Sequence, residues 1–412
     1  MIFKSMVYAS SVPEKGSDAV RYCVIILDGA AGWPLPEYGG RTTLQAASTP
    51  NLDRLTREGM LGLAQTVPEG TEPSSSAACT SILGYDPIAD YVGRGAIEAA
   101  SMGIDLAPDE VALRLNLVTL TGGAMASYAA GHIPTDDSRA LVTEIASHLD
   151  DDVFRLYPGI AYRHILVVKG HPELLEARYT PPHDISDKQF AEHLPSGPGA
   201  DLLLDYMERA RPIIAASAVT ASRAAAGVAP TDVWPFWPGK APGGIEPFVG
   251  RRGGVRAALT SGVDLLNGLA VLFGIERLQI AGVTDGPDTD YAAQAIGALA
   301  ALEEHDVVIV HVESPDEAGH SGDAEGKIAA VEAIDREVVG RIAGSADDLR
   351  ILAMPDHPTP IELKTHCGEP VPFVLHGPGI TSNGAETYDE AAAGGTGLVV
   401  DPGHAVMDLL LR

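Results

Sequence analysis

The sequence predicts an α/β protein built on a mostly parallel sheet flanked by helices, with a second α/β unit inserted into the middle of the chain. Two observations carry this. Short, continuously apolar runs recur towards both ends of the chain and alternate with helical patterns, as expected of strands covered on both faces by helices. Between about residues 100 and 250 the strand-like runs instead mix in charge, as in VALRLNLVTL and AYRHILVVKG. A chain of 412 residues with 45% apolar content also exceeds the size at which single cores divide. Two domains are therefore expected: residues 20–98 with 250–412 as one discontinuous domain, and 99–249 as the insertion.

The elements follow in order. RYCVIIL at 21–27 reads as a strand ending at Asp28, and PNLDRLTREG from residue 50 as a short helix with an acidic start and a glycine stop. Buried strands are expected for LQIAGV from 278, DVVIVHV from 306, RILAM from 350 and VPFVL from 371. Ile328, Val331, Ile334, Val338 and Ile342 recur at helical spacing and predict a helix over 323–343. PTDVWPFWPGKAPGG, near 230–244, reads as a Pro/Gly-rich connector, and the Gly-rich segment at 249–254 as the tether of the insertion.

Composition narrows the function. No apolar run is long enough to cross a bilayer, and the first twenty residues lack a basic start followed by a long apolar stretch. Three cysteines, Cys23, Cys79 and Cys367, cannot all pair, which suits a reducing compartment and predicts a cytoplasmic protein. A formal charge of −28 disfavours nucleic acid and anionic membranes as partners. An anionic substrate would need cations gathered locally. Composition leaves the oligomeric state open.

The chemistry is expected at three strand ends. Asp28 follows the first apolar strand, where open α/β sheets put their ligands. In HVESPDEAGHSGD, Asp316 and His320 stand four apart and share a face if the segment is helical. Asp356 and His357 end a third apolar run, and His366 follows nine residues later in THCGEPVP. Carboxylate and imidazole together suit Mn²⁺, Zn²⁺ or Mg²⁺ rather than a thiolate-bound metal, and so many ligands exceed one open catalytic ion. A two-metal site is therefore expected, able to neutralise a phosphoryl group in flight. A hydroxyl is a weak nucleophile at neutral pH unless so activated, and the hydroxyl-rich stretch PEGTEPSSSAACTSILGYDP at 68–87 offers several.

These motifs, with STPNLDRLTREG, GVTDGPDTDY, DHPTP and the insertion's AGHI, YRHILVV and PPHDISDK, resemble the archaeal-type cofactor-independent phosphoglycerate mutases of the alkaline phosphatase superfamily. The resemblance runs over nearly the whole chain from about residue 20. It implies an alkaline-phosphatase-like fold and the interconversion of 3-phosphoglycerate and 2-phosphoglycerate through a phosphoserine, with no 2,3-bisphosphoglycerate. It implies two divalent ions, Mn²⁺ foremost with Zn²⁺, Mg²⁺ or Co²⁺ as alternatives. Asp28, Ser75, Asp356 and His357 would surround one ion, and Asp316, His320 and His366 the other. The insertion would be a substrate-binding lid.

Ser75 stands ten residues before Tyr85, where the family's nucleophile falls; the motif here reads Pro73-Ser74-Ser75-Ser76, so Ser74 and Ser76 are rivals. For the anionic substrate the insertion offers Arg114, His132, Arg163, His183, Asp184 and Lys188. Arg114 and Arg163 lead, because guanidinium grips planar anions bidentately. His164 and Lys188 read more readily as structural, as do His148, His171, His193 and His305, and Cys79 and Cys367 read as small buried side chains. A phosphatase or phosphotransferase acting on another small phosphate ester would use the same groups. A binding homologue that has lost the reaction is a third reading, disfavoured by the complete Asp/His set.

Overall fold

The computed structural model describes residues 20–225, 227–346 and 348–412. The N-terminal stretch read above for export signals lies, but for its last residue, outside them.

An eight-stranded sheet organises one part of the molecule. From one edge its order is Val399–Val400, Met60–Ala64, Val371–His376, Leu349–Met354, Arg21–Leu27, Val307–Val312, Ala257–Thr260 and Glu276–Arg277. Only Val371–His376 runs against its neighbours; all other pairs are parallel. The central strands are apolar along their length because helices cover both faces, and Val24 to Leu27 and Val307 to Val310 are fully buried. The helix Pro50–Glu58 stops at Gly59, where a Cβ would lie 2.4 Å from the Leu375 carbonyl oxygen. The long helix runs as Ala324–Ala333, widens to a π-helix over Ile334–Val339 and closes at Gly340–Ala343. Within the widened turn the Asp335 carboxylate accepts the Leu52 and Asn51 N–H groups, so it supplies the cap that Pro50–Glu58 lacks locally.

A second, antiparallel sheet lies within residues 110–240. Glu110–Thr121 is its axis, with Arg163–Lys169 and then Phe154–Tyr157 on one side, Asp232–Lys240 on the other, and a hairpin to Ala124–Ser127. It has its own core, in which Leu113, Leu115 and Trp234 pack with Leu141, Ile145 and Met207 of the helices Thr135–Leu149 and Ala200–Ala216.

Two expectations fail. LQIAGV is not a strand: after Glu276–Arg277 the chain makes one more bond, from Leu278 N to Leu259 O, then leaves the sheet edge and turns at Gly282 (φ +86°). Its apolar side chains pack as a loop, with Ile280 against Gly297 of the next helix, and a short apolar run does not distinguish the two cases. The Pro/Gly-rich connector is instead largely the strand Asp232–Lys240. It tolerates Pro235 and Pro238 because it pairs only with Glu110–Thr121 and so forms an edge, and a register shift opposite Leu113/Arg114 absorbs Trp237 in a left-handed conformation. All three cysteines are unpaired, and no helix of the described residues is long and apolar enough to cross a membrane.

Candidate active site

Three adjacent parallel strands deliver the acidic residues to one point. Register pairs Leu27 with Val312 and Ile26 with Met354, so the residues just beyond, Asp28, Glu313 and Asp356, leave the sheet at nearly one level. Asp28, Asp356 and His357 are fully buried and Asp316 nearly so. Asp316 and His320 share one face of the helix Ser314–Ser321, with His320 Nε2 3.1 Å from Asp316 Oδ2, and His366 Nε2 lies 2.9 Å from His320 Nε2. His357 Nε2 faces Asp356 Oδ2 at 3.2 Å and Asp28 Oδ1 at 3.6 Å. The structure thus brings together every Asp and His expected at the three strand ends.

This arrangement suits cations. Burial, then the Asp356 and Asp316 carboxylates, push the Asp28 carboxyl well above its usual range, and its Oδ1 is buried without a hydrogen-bond partner. Isolated carboxylates held in this way cost several kcal/mol each unless a positive charge joins them. Burial acts on Asp316 in the same direction, but hydrogen bonds from His320 and His366 outweigh it and hold this carboxyl well below its usual range. The Asp316 bond in turn raises His320 to about 9. His320 Nδ1 lies 3.0 Å from the Lys364 carbonyl, an acceptor only, so this nitrogen carries the hydrogen. In the neutral ring the Nε2 lone pair then points at His366 and Asp316, the orientation that a metal-binding imidazole needs. Ligand atoms of Asp316, His320 and His366 lie within 4.8 Å of one another, as do those of Asp28, Asp316 and His357 and those of Asp28, His311 and Glu313.

The helix Ser75–Ile82 separates the three serines by role. Ser74 is its N-cap, accepting the Ala77 N–H, and its hydroxyl lies 3.0 Å from that of Ser76, which is buried. Ser75 Oγ instead lies 3.0 Å from His357 Nε2. One turn on, buried Cys79 is more than packing: its thiol, pushed well up by burial and so kept protonated, donates to Asp356 Oδ2 at 3.5 Å.

Gly29 shows how tightly the cluster is built. It adopts φ +59°, and a Cβ there would lie 2.3 Å from Asp316 Oδ1 and 2.6 Å from Thr359 Oγ1. Gly29→Ala is therefore expected to cost about 1–2 kcal/mol for the left-handed backbone plus about 1–3 kcal/mol for the clash. Gly39, at φ +68° with nothing within 4 Å, should lose only the first of these on substitution. Thermal melts of the two variants check this; equal losses would mean that the site has slack around Gly29.

The cluster opens on a cleft of about 1370 Å³ whose opposite wall comes from the second sheet. Arg114, Arg163, His183 and Asp184 line it; His132 and Lys188 do not. Arg114 is buried and already gripped by Glu98 and by Asn116 Oδ1, the latter at 3.1 Å. Arg163 is freer, its nearest carboxylate being Asp264 at 3.9 Å. His183 stays neutral more readily than usual, through burial and the Arg94 and Arg114 charges. His132 stands behind Tyr162, ring centroids 6.4 Å apart, and Lys188 Nζ is used on the Asp184 carbonyl. His164 also lines the cleft but is buried: its Nδ1 accepts the Gly159 N–H, and burial with the Arg114 charge lowers its pKa to about 3. His148, His171 and His305 bond to groups near the surface, away from the cleft.

Sequence reasoning missed several cleft and cluster residues. Arg94 lies 3.8 Å over the Trp237 ring and bonds Glu98 at 3.0 Å, and all three line the cleft. Glu98 is the anion holding Arg94 and Arg114 in place; burial pushes its carboxyl up, but the two guanidinium groups outweigh it. His311 Nε2 lies 2.7 Å from Asp28 Oδ2 and so orients that carboxylate. His311 and Glu313 stand in the same HVESPDEAGH motif as Asp316, and attention to that strand end would have found them.

Comparison with known proteins agrees with this arrangement. Residues 56–220 match the family described as 2,3-bisphosphoglycerate-independent phosphoglycerate mutase. A protein of that name from Methanothrix thermoacetophila is 42% identical, covering 95% of this chain and 100% of its own. A probable 2,3-bisphosphoglycerate-independent phosphoglycerate mutase from Geobacter sulfurreducens is 42% identical with the same coverage. Among solved structures, the cofactor-independent phosphoglycerate mutase of Thermoplasma acidophilum superposes with a TM-score of 0.65 at 27% identity, over 95% of this chain and 99% of that one. A Pyrococcus horikoshii protein superposes with a TM-score of 0.82 at 26% identity, over 95% and 97%. With such identity along almost its full length, and with the Asp/His cluster assembled, the chain belongs to the 2,3-bisphosphoglycerate-independent phosphoglycerate mutases, a family of isomerases.

Proposed function

We propose that the protein interconverts 3-phosphoglycerate and 2-phosphoglycerate by moving the phosphoryl group through Ser75. The observation that carries this reading is the Ser75 hydroxyl 3.0 Å from His357 Nε2, where the two Asp/His groups meet the cleft. Asp28, Ser75, Asp356 and His357 would hold one divalent ion, and Asp316, His320 and His366 a second. When bound, the ions, Mn²⁺ foremost, lower the pKa of an attacking oxygen and neutralise charge on the phosphoryl group.

The chain's own residues do the rest. Ser75 Oγ forms a bond to phosphorus as the bond to the glycerate 3-oxygen breaks, and the proton lost by the serine matches the one gained by that oxygen. The helix N-terminus beneath Ser75 favours the negative charge of the phosphoserine. The glycerate 2-hydroxyl then takes the phosphoryl group and Ser75 recovers its proton. Arg163 and the Arg94/Arg114 pair hold the carboxylate and spare phosphoryl oxygens by bidentate contacts. Residues 99–249 act as the lid, whose closure excludes water so that the retained alcohol is the acceptor. A well-oriented bound alcohol reaches effective molarities of about 10⁵ M or more, far beyond water. A small anionic ester is thus the partner, and 2,3-bisphosphoglycerate plays no part.

The test is a panel of small phosphate esters with Mn²⁺, following isomerisation and phosphate release together. Conversion of 3-phosphoglycerate to 2-phosphoglycerate with little free phosphate is expected. If 3-phosphoglycerate is inert while another ester is hydrolysed, the site is a phosphatase.

A further inference from the structure

Resting on that two-ion reading, we infer that Thr359 is a positioning residue whose hydroxyl couples the two ligand groups. Thr359 is fully buried between them. Its hydroxyl donates to Asp316 Oδ1 and lies 3.3 Å from His357 Nδ1. A hydroxyl has one hydrogen, and the carboxylate, an acceptor, takes it. The His357 contact therefore runs the other way, from the ring Nδ1–H to the Thr359 oxygen. This fixes the tautomer of His357: Nε2 is left as a bare lone pair facing Ser75, Asp356 and Asp28. One side chain thus orients a ligand of each ion.

Thr359 is itself held from all sides. Its N–H donates to the Ala31 carbonyl at 3.1 Å. Its own carbonyl accepts from Lys327 Nζ at 2.7 Å, and the same buried ammonium reaches the Ala31 carbonyl at 3.0 Å. Lys327 thereby ties together the loops that carry Asp28 and His357. The Thr359 methyl lies against Gly319, where a Cβ would come within 2.8 Å of it, so the helix carrying Asp316 and His320 packs onto the same residue. With backbone and methyl both fixed, the hydroxyl has little freedom to turn away.

Outer partners of metal ligands typically contribute 10–100-fold in metal affinity. The test titrates the metal-stripped chain with Mn²⁺ by calorimetry, for the parent protein, Thr359→Val and Thr359→Ser. Valine keeps the shape and removes the hydroxyl; serine keeps the hydroxyl and removes the methyl. Thr359→Val is expected to bind both ions about 10–100-fold more weakly, and Thr359→Ser to stay within about threefold of the parent. Unchanged affinity in Thr359→Val, or an equal loss in Thr359→Ser, would overturn the inference, since the effect would then be absent or one of packing. Far-UV circular dichroism checks that each metal-free variant folds. If the valine variant does not, Thr359→Ser decides: retained affinity supports the coupling, and a tenfold loss refutes it. A parent chain that takes up no Mn²⁺ would instead remove the two-ion reading itself.

Discussion

Ser75→Ala is expected to lower the conversion of 3-phosphoglycerate about 10⁴-fold or more, while the chain stays folded and still binds divalent ions. Removing a nucleophile eliminates the covalent route, and losses of this order are what such substitutions give when no neighbouring group can take over. The local geometry argues that none can. Ser74 is committed to capping the helix and Ser76 is buried beside it, whereas Ser75 Oγ alone of the three reaches His357. Ser74→Ala should therefore cost about 0.5–1 kcal/mol of stability from the lost cap, with turnover reduced far less than in Ser75→Ala. Trapping phosphoenzyme from labelled 3-phosphoglycerate and locating the phosphate by peptide mass analysis checks the assignment. Phosphate on Ser74 or Ser76 would refute it.

Asp28→Asn is expected to separate stability from function. Burial and the surrounding carboxylates raise the Asp28 pKa well above its unfolded value. A carboxyl raised in the folded state contributes stability at acid pH and loses it as pH rises towards the folded value, so near neutrality Asp28 opposes folding of the metal-free chain. A neutral amide of the same shape removes that opposition. The metal-free variant should melt at a higher temperature than the metal-free parent. Addition of Mn²⁺ should then stabilise the parent strongly and the variant little, because binding to the folded state alone raises stability with ligand concentration. Turnover should fall about 10³-fold or more with the loss of the ligand. Melts with and without Mn²⁺, together with elemental analysis, provide the measurement. A variant that melts lower without metal, yet gains as much as the parent on adding Mn²⁺, would show that Asp28 serves packing alone.

Local pattern carried much of this protein in the amino-acid sequence. Four of the apolar runs became strands of the main sheet because strands covered on both faces need uniform apolarity, whichever way they run, a signal that depends on no partner. The Asp/His pairs were legible for a related reason: they stand immediately after those strands, and strand ends are where an α/β sheet has room for polar groups. Where the outcome depended on contacts between distant segments, reading the chain failed. LQIAGV has the composition of a strand, but at a sheet edge only one bond, from Leu278 N to Leu259 O, held it beyond Arg277. Asp232–Lys240 has the composition of a connector, yet an open edge accommodates its prolines.

The same division runs through the site. Sequence by itself determined which Asp and His residues would gather at the strand ends and which hydroxyl-rich stretch would stand beside them, because each is written within a few consecutive residues. Only the tertiary structure decided which of three serines faces His357, that Arg114 is bound to Glu98 while Arg163 is freer, and that Thr359 stands between His357 and Asp316. The physical reason is that hydrogen-bond direction, burial and charge pairing are properties of atoms brought together from far along the chain. Asp28 and His357 lie more than three hundred residues apart in sequence and 3.6 Å apart in space, and the register of two parallel strands is what joins them.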